Sequence, residues 1–450
     1  MDNKPTVVTR IPPSPTGHLH IGTARTALFN YLFAKKMGGK VVFRSEDTDK
    51  ARSTKAFEDE IVAGLEWLGL SWDGEIVRQS ERAPLYRTYL EKIITTGTAY
   101  LSEEESKNNP GEIVTVVRLV NPNKTITFTD LIRGEITFDT TELGDIVIAR
   151  NIDDALYHFT VVVDDFEMGV THVMRGEDHI PNTPRQILIQ EAIGAPRPYY
   201  AHLPLILATD RSKMSKRHGA VSLSEYRQAG YTKEAIINYL ALLGWNPGTE
   251  QELFTLPELI ETFTIDHIHK AGAVFDIKKF QWFNREYLNK LTDEDISKYI
   301  AEDFPTQLSD LPQYTTERLA RALPTIRERI NTRNEFHEFT TAGEYDYIFD
   351  TPIYEKEMLQ WKNDAAIKDA LPRLQKAAET LLRADFTAIG AIKSALWPLA
   401  ESLGRGEVLW PLRVALSGKK QSPDPFTLAF ILGREETLAR IQTACDKISV

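Results

Sequence analysis

Two short groups of residues, far apart in the chain, have the types and spacing to handle phosphate. The first is Pro13-Ser14-Pro15-Thr16-Gly17-His18-Leu19-His20-Ile21-Gly22-Thr23; the second is Ser212-Lys213-Met214-Ser215-Lys216-Arg217. Histidines placed between a strand end and a helix N-terminus sit where backbone N–H groups and the helix dipole favour an anion. Two lysines flanking Met214-Ser215 can set two point charges on a triphosphate. A flexible cationic loop also suits charge that moves during a reaction. Each group alone has a plainer reading: a capped strand–helix junction with surface histidines, or a solvated basic loop. Together, in this order, they describe a site that activates a carboxylic acid with ATP.

The elements that must hold these residues can be read locally. Residues 6–11 are β-branched and apolar and predict a buried strand. Pro12, Pro13 and Pro15 end its ladder, and Gly17 permits a tight backbone. From 23 to 37 the apolar residues Ala24, Ala27, Leu28, Tyr31 and Leu32 recur at helical spacing, and Gly38-Gly39 supplies the stop. Residues 201–207 predict a second buried strand that runs through the turn 208–211 into the lysine-rich stretch.

Residues 40–46 form another strand, ending in the acidic turn Glu46-Asp47-Thr48-Asp49, and helices follow around 54–69 and 82–96. This alternation is that of an open α/β sheet. Residues 100–160 are instead β-rich, as at 112–119 and 124–129, and read as an insertion. The α/β pattern resumes at 160–163 and 171–174, with a helix near 183–193. Amphipathic segments at 222–229 and 233–243 and another beginning at 256 lead into a half, from about 294, with almost wholly helical periodicity. Proline-containing breaks near 304–312, 351–352 and 422–425 divide it.

A chain of 450 residues implies several domains, and 42% hydrophobic residues is ordinary for a globular protein. No stretch is long and apolar enough to span a membrane, and no secretory or transit segment opens the chain, so a cytoplasmic location is expected. The single cysteine, Cys445, excludes an intramolecular disulfide framework and a multi-cysteine zinc site. A net charge of −11 argues against a nonspecific nucleic-acid coat, yet a local basic stripe can still meet RNA. Arg318, Arg321, Arg327, Arg329 and Arg333 are the best local candidates, with a charged helical face as the alternative.

Arg10 through Gly17, His20-Ile21-Gly22-Thr23, Glu46-Asp47-Thr48-Asp49, Val163-Asp164-Asp165, Arg175-Gly176-Glu177-Asp178-His179 and Lys213-Met214-Ser215-Lys216-Arg217 stand collinear over essentially the whole chain. In these blocks the chain closely resembles the bacterial-type glutamyl-tRNA synthetases, class I aminoacyl-tRNA synthetases. The resemblance implies a multidomain α/β fold. It comprises a Rossmann-type class I catalytic domain in two halves (1–86 and 161–205), split by a β-rich, acceptor-end-binding insertion (87–160). A stem-contact region with the lysine-rich loop (206–293) and an α-helical anticodon-binding region (294–450) follow.

It also implies an ATP-dependent ligase that joins L-glutamate to tRNA(Glu) through a glutamyl-adenylate, with Mg²⁺ on the ATP and the monomer as the expected state. Arg10, Ser14, Glu46, Tyr157 and Arg175 would line the glutamate pocket, with Glu46 on the ammonium and the two arginines on carboxylates. Thr16, His20, Gly22, Thr23, Asp178, Ile206, Lys213 and Lys216 would meet ATP. His20, Lys213 and Lys216 would be catalytic, and Arg329 would read the anticodon. For Tyr157 a core aromatic is the alternative; for Arg175 it is a salt bridge to Glu177 or Asp178. Thr23 stands where many class I enzymes have histidine, and the short segment 101–111 lacks zinc ligands, so no zinc is expected. The nearest rival is a nondiscriminating enzyme that also charges tRNA(Gln).

Overall fold

A computed structural model describes residues 6–106, 109, 111–215, 222–302 and 304–450. The chain divides into two compact units, Met1–Phe283 and Asn284–Val450.

The first unit opens with strand β1 (Val8–Ile11), helix α1 (Ile21–Lys36) and strand β2 (Lys40–Ser45), with β1 and β2 parallel. Helix α1 starts two residues before the expected Thr23, because His20 caps it: its backbone is extended and its ring accepts the Gly22 N–H. The expected face is buried at Ala24, Ala27, Leu28, Tyr31 and Leu32. Gly38 ends the helix at φ +63°, and Gly39 has no room for a side chain, since a Cβ would lie 2.1 Å from the Val7 carbonyl oxygen. Helix α2 (Lys55–Trp67), capped by the Thr54 hydroxyl, crosses to β3 (Val77–Arg78), which adds to β2 in parallel.

Helix α3 (Ala83–Thr95) leads into the β-rich segment. Strands β4 (Ala99–Glu105) and β5 (Ile113–Leu119) pair antiparallel, whereas β6 (Thr125–Asp130) and β7 (Gly134–Asp139) form a separate hairpin. Strands β8 (Ile146–Asn151) and β9 (Asp154–Ala155) return to the first pair, giving the order β4-β5-β8-β9. The β6–β7 hairpin instead extends another sheet. After α4 (Tyr157–Glu167) come β10 (His172–Gly176), α5 (Thr183–Ile193) and β11 (Tyr199–Leu203), and the order is β10-β11-β6-β7. The run Thr160-Val161-Val162-Val163 is helical despite its β-branching. Its residues are buried in α4, so packing overrides propensity. Tyr86, Leu90, Val117, Ile148, Phe159 and Ile187 share one apolar cluster, which joins the insertion to the sheet's second half.

Pro204 divides the expected strand 201–207, so β12 (Ile206–Leu207) pairs elsewhere, with β13 (Ala273–Val274). Helices α6 (Leu223–Gln228), α7 (Lys233–Leu242) and α8 (Leu256–Thr262) lie between them, α6 and α8 opened by capping boxes. Helix α9 (Ile277–Asn289) contains the division between the units.

The second unit is helical, from α10 (Asp293–Ala301) to α19 (Arg434–Ser449). Leu323, Ile326, Phe336, Leu374, Leu396, Leu412 and Ile441 belong to its core. Buried Arg440 knits it by donating to the carbonyls of Tyr347, Leu416 and Asp350.

Candidate active site

The parallel pairs β1–β2 and β10–β11 meet where the strand order reverses. Thr171 N–H donates to the Val8 carbonyl at 3.0 Å, which fastens the start of the seam. Farther along, side chains replace the ladder: Arg10 Nη1 and Asn30 Nδ2 each donate to the Met174 carbonyl at 3.1 Å. The strands therefore open toward their C-terminal ends, the crevice where open α/β sheets hold ligands.

One wall of this crevice is the N-terminus of α1. Gly22 N–H donates to His20 Nδ1 at 3.0 Å, so the neutral ring carries its proton on Nε2. A Cβ on Gly22 would press on that ring at 3.2 Å. Thr23 is exposed and Thr16 half-buried. The proline loop is tied to the floor, since Glu46 N–H donates to the Pro13 carbonyl at 2.9 Å and Thr54 N–H to that of Pro15 at 3.1 Å. Ser14 lies exposed on this loop.

Beneath the loop is a buried cluster of charge. Arg44 Nη1 donates to Asp165 Oδ1 at 2.6 Å and Nη2 to Glu46 Oε1 at 2.8 Å. Arg10 Nε reaches the same Asp165 oxygen at 3.4 Å. Burial opposes the Asp165 charge, but Arg44 and Arg10 hold its pKa below the usual carboxylate range. Glu46 goes the other way: burial raises it more than Arg44 lowers it. Tyr157 stands over the group, its phenol pKa raised by burial and then by the Glu46 charge.

Arg175, 6% exposed, completes the cluster, and among the described residues no acid pairs with it directly. Its Nε donates to His202 Nε2 at 3.2 Å, Nη1 to Gln186 Oε1 at 2.6 Å and Nη2 to Thr183 Oγ1 at 2.8 Å. The salt bridge to Glu177 or Asp178 does not form: Glu177 pairs with Arg133 at 2.7 Å and Asp178 with Lys213 at 2.8 Å. Arg10 and Arg44 thus share the carboxylates Glu46 and Asp165, whereas Arg175 is hydrogen-bonded to neutral groups only. A buried cation without a direct ion pair is costly, and an anion in this pocket would offset that cost.

The other wall carries Lys213. The stretch after β12 turns back on itself: Met214 N–H donates to the Ile206 carbonyl at 3.1 Å and Ala208 N–H to that of Ser212 at 2.8 Å. Ile206 is buried, and Lys213, exposed, points its ammonium at Asp178. His179 lies between this wall and the arginines, its pKa lowered to about 4 by burial and then by Arg175, so it is neutral near pH 7. Lys216 lies outside the described residues.

Arg329 is in the second unit, 3.8 Å from Glu344 and with its guanidinium 5.9 Å from the Tyr345 ring centroid. The other members of its arginine stripe are engaged internally. Arg318 donates to the Ile348 and Leu432 carbonyls, Arg321 to Glu317, Arg327 to the Leu291 carbonyl, and Arg333 to Glu302. Among the described residues no three His, Cys, Asp or Glu side chains are grouped to hold a metal ion.

Three residues of the site carry no local signal of their roles: Arg44, His202 and Asp130. For Asp165 the one hint is the pair of adjacent acids after an apolar run, Asp164-Asp165. Asp164 turns the other way, accepting from Gln79, Arg82 and Tyr86.

A family profile described as "tRNA synthetases class I (E and Q), catalytic domain" matches residues 6–109 and 101–282. A second, "Anticodon binding domain", matches 285–445. The glutamate–tRNA ligase of Carboxydothermus hydrogenoformans is 40% identical, over 96% of this chain and 98% of its own length. That of Syntrophobacter fumaroxidans is 38% identical over 97% of each. Among solved structures, a glutamate tRNA ligase from Elizabethkingia meningosepticum in complex with its amino acid superposes with a TM-score of 0.84 at 31% identity. The match covers 98% of this chain and 99% of that one. The chain belongs to the class I tRNA synthetases of the E and Q group.

Proposed function

We propose that this class I synthetase attaches glutamate to tRNA(Glu) at the expense of ATP. The observation that carries the reading is Arg175, a buried guanidinium held only by neutral groups beside the shared carboxylates Glu46 and Asp165. Glutamate, with two carboxylates and one ammonium, supplies an anionic partner for it. Arg10 and Arg175 take its carboxylates, Glu46 its ammonium, and Ser14 and Tyr157 close the pocket. Bidentate guanidinium pairing suits this recognition. ATP lies across the α1 N-terminus, against Thr16, His20, Gly22 and Thr23, with Asp178 and Ile206 at its nucleoside end.

An α-carboxylate oxygen of glutamate attacks the α-phosphorus of ATP, the bond to the bridging oxygen breaks, and pyrophosphate leaves. The 2′-hydroxyl of the terminal tRNA ribose then attacks the carbonyl carbon of the mixed anhydride. AMP departs and the hydroxyl proton is released. No side-chain nucleophile is required; the protein positions the reactants and stabilises charge. His20 presents Nε2–H and Lys213 and Lys216 present ammonium groups to phosphate oxygens, Lys213 exchanging Asp178 for the nucleotide. Mg²⁺ enters as the counterion of ATP, a role in which the phosphates provide much of its coordination.

The finer assignments belong to the same reading: acceptor end at 87–160, stem at 206–293, anticodon at 294–450, a monomer in the cytoplasm. The test is a two-by-two charging assay offering glutamate or glutamine with tRNA(Glu) or tRNA(Gln), ATP and Mg²⁺. Glutamate on tRNA(Glu) alone is expected. Equal charging of both tRNAs overturns the discrimination, and absence of charging overturns the activity.

A further inference from the structure

Behind Arg175 runs a buried chain of polar groups that reaches from β10 through β11 to β6 of the insertion. His202, on β11, is fully buried. Its Nε2 lies 3.2 Å from Arg175 Nε, which can only donate, so Nε2 is an acceptor. Its Nδ1 lies 2.6 Å from Asp130 Oδ2 and must therefore carry the ring proton. Burial lowers the His202 pKa in spite of Asp130, in keeping with a neutral ring.

Asp130 is itself fixed. It ends β6, and its Oδ1 accepts the N–H groups of Ile132 at 2.9 Å and Arg133 at 2.8 Å. Arg133, in the same turn, donates through Nε to the His202 carbonyl at 3.3 Å and pairs with Glu177. The turn between β6 and β7 is thereby clamped to the strand that carries His202.

We propose that Asp130 and His202 are positioning residues for glutamate recognition: they set the tautomer and location that aim Arg175 at a substrate carboxylate. The inference rests on the glutamate reading above. Neither residue touches substrate. The relay fixes one edge of the Arg175 guanidinium while Gln186 and Thr183 hold one N–H of each terminal nitrogen, which leaves two of its five N–H groups for the ligand. An acidic residue in direct contact would neutralise Arg175 and compete with the substrate. An imidazole between Asp130 and Arg175 orients the cation and leaves its charge available.

The test measures aminoacylation by the full-length chain, with KM for glutamate, ATP and tRNA, in three variants. His202→Leu removes both hydrogen bonds and is expected to raise KM for glutamate about 10–100-fold, the scale of a lost hydrogen bond to a charged group. KM for ATP should stay within about threefold, since the lost bond is to a group that grips only the amino acid. His202→Gln can accept from Arg175 and donate to Asp130 and should restore most of the affinity. Asp130→Asn cannot place its amide nitrogen at Oδ1, where the Ile132 and Arg133 N–H groups point, and at Oδ2 it opposes the His202 backbone N–H, 3.1 Å away in the parent, as well as the Nδ1 proton. The nitrogen must face His202 Nδ1, driving the ring proton to Nε2 against Arg175, so KM for glutamate should again rise about tenfold or more. If His202→Leu does not fold, the contrast between Asp130→Asn and His202→Gln decides. An unchanged glutamate KM in Asp130→Asn, a His202→Gln no better than His202→Leu, or an equal rise in KM for ATP overturns the relay. Failure of the unsubstituted enzyme to charge tRNA with glutamate would instead overturn the underlying function.

Discussion

Single residues divide here into those that hold charge and those that await it. Lys213 has a partner, Asp178, which it would exchange for ATP in the proposed site. Lys216 belongs to the same proposed phosphate clamp. Lys216→Ala should lower pyrophosphate exchange by about 10²–10³, the scale for removing one transition-state donor; near-normal exchange would remove Lys216 from the clamp. Glu46 offers a pH test. Burial raises its pKa above the ordinary carboxylate value, so it takes up a proton earlier than most carboxylates as pH falls. In the proposed pocket the protonated acid no longer balances the substrate ammonium, so kcat/KM for glutamate should fall on the acid side, through a pKa above the usual carboxylate range. Glu46→Gln should abolish that acid limb and raise KM for glutamate about tenfold or more at neutral pH. An acid limb that persists in the variant would assign it to another group.

At the scale of elements, the first strand–helix–strand unit sets the accuracy of the site, because β1 carries Arg10, His20 caps α1 and Glu46 directly follows β2. Its tightest point is the connection between α1 and β2. Gly39→Ala would drive a methyl into the Val7 carbonyl, and backbone must move to relieve it. A loss of about 1–3 kcal/mol in urea unfolding is expected, the usual cost of overpacking. Stability within about 0.5 kcal/mol of the parent would contradict the close approach, since that is the range of ordinary surface changes. Much of this unit was legible locally: β1, β2, α1, α2 and α3 lie within a residue or two of where periodicity and caps put them. The insertion's strands at 112–119 and 124–129 were legible too, but not their partners. Both of its hairpin pairs have strand patterns, but the β6–β7 hairpin joins β11 while β4, β5, β8 and β9 pair among themselves. Alternation marks a strand and its faces; it does not name the neighbour.

Across the whole molecule, the two family matches fall on different parts of the chain, since the catalytic profile ends at residue 282 and the anticodon-binding profile begins at 285. Arg329→Ala, in the two-by-two assay, should leave glutamate activation near the parent rate and lower the preference for tRNA(Glu) over tRNA(Gln). The lost base contact corresponds to about 1–3 kcal/mol of discrimination. An unaltered preference would return Arg329 to its structural pairing with Glu344. The sequence by itself determined what lies close along the chain: the two phosphate motifs, the strand–loop–helix around His20, the capped helices and the helical second half. These depend on bonds between residues a few positions apart, so composition and spacing encode them. Tertiary structure alone decided that Asp165 would balance Arg10 and Arg44, that Arg175 would be held by neutral groups, and that Asp130 would reach it through His202. Those contacts join residues from separate strands and helices. Which distant groups meet depends on strand order, register and the core that fixes them, and no local pattern records that choice.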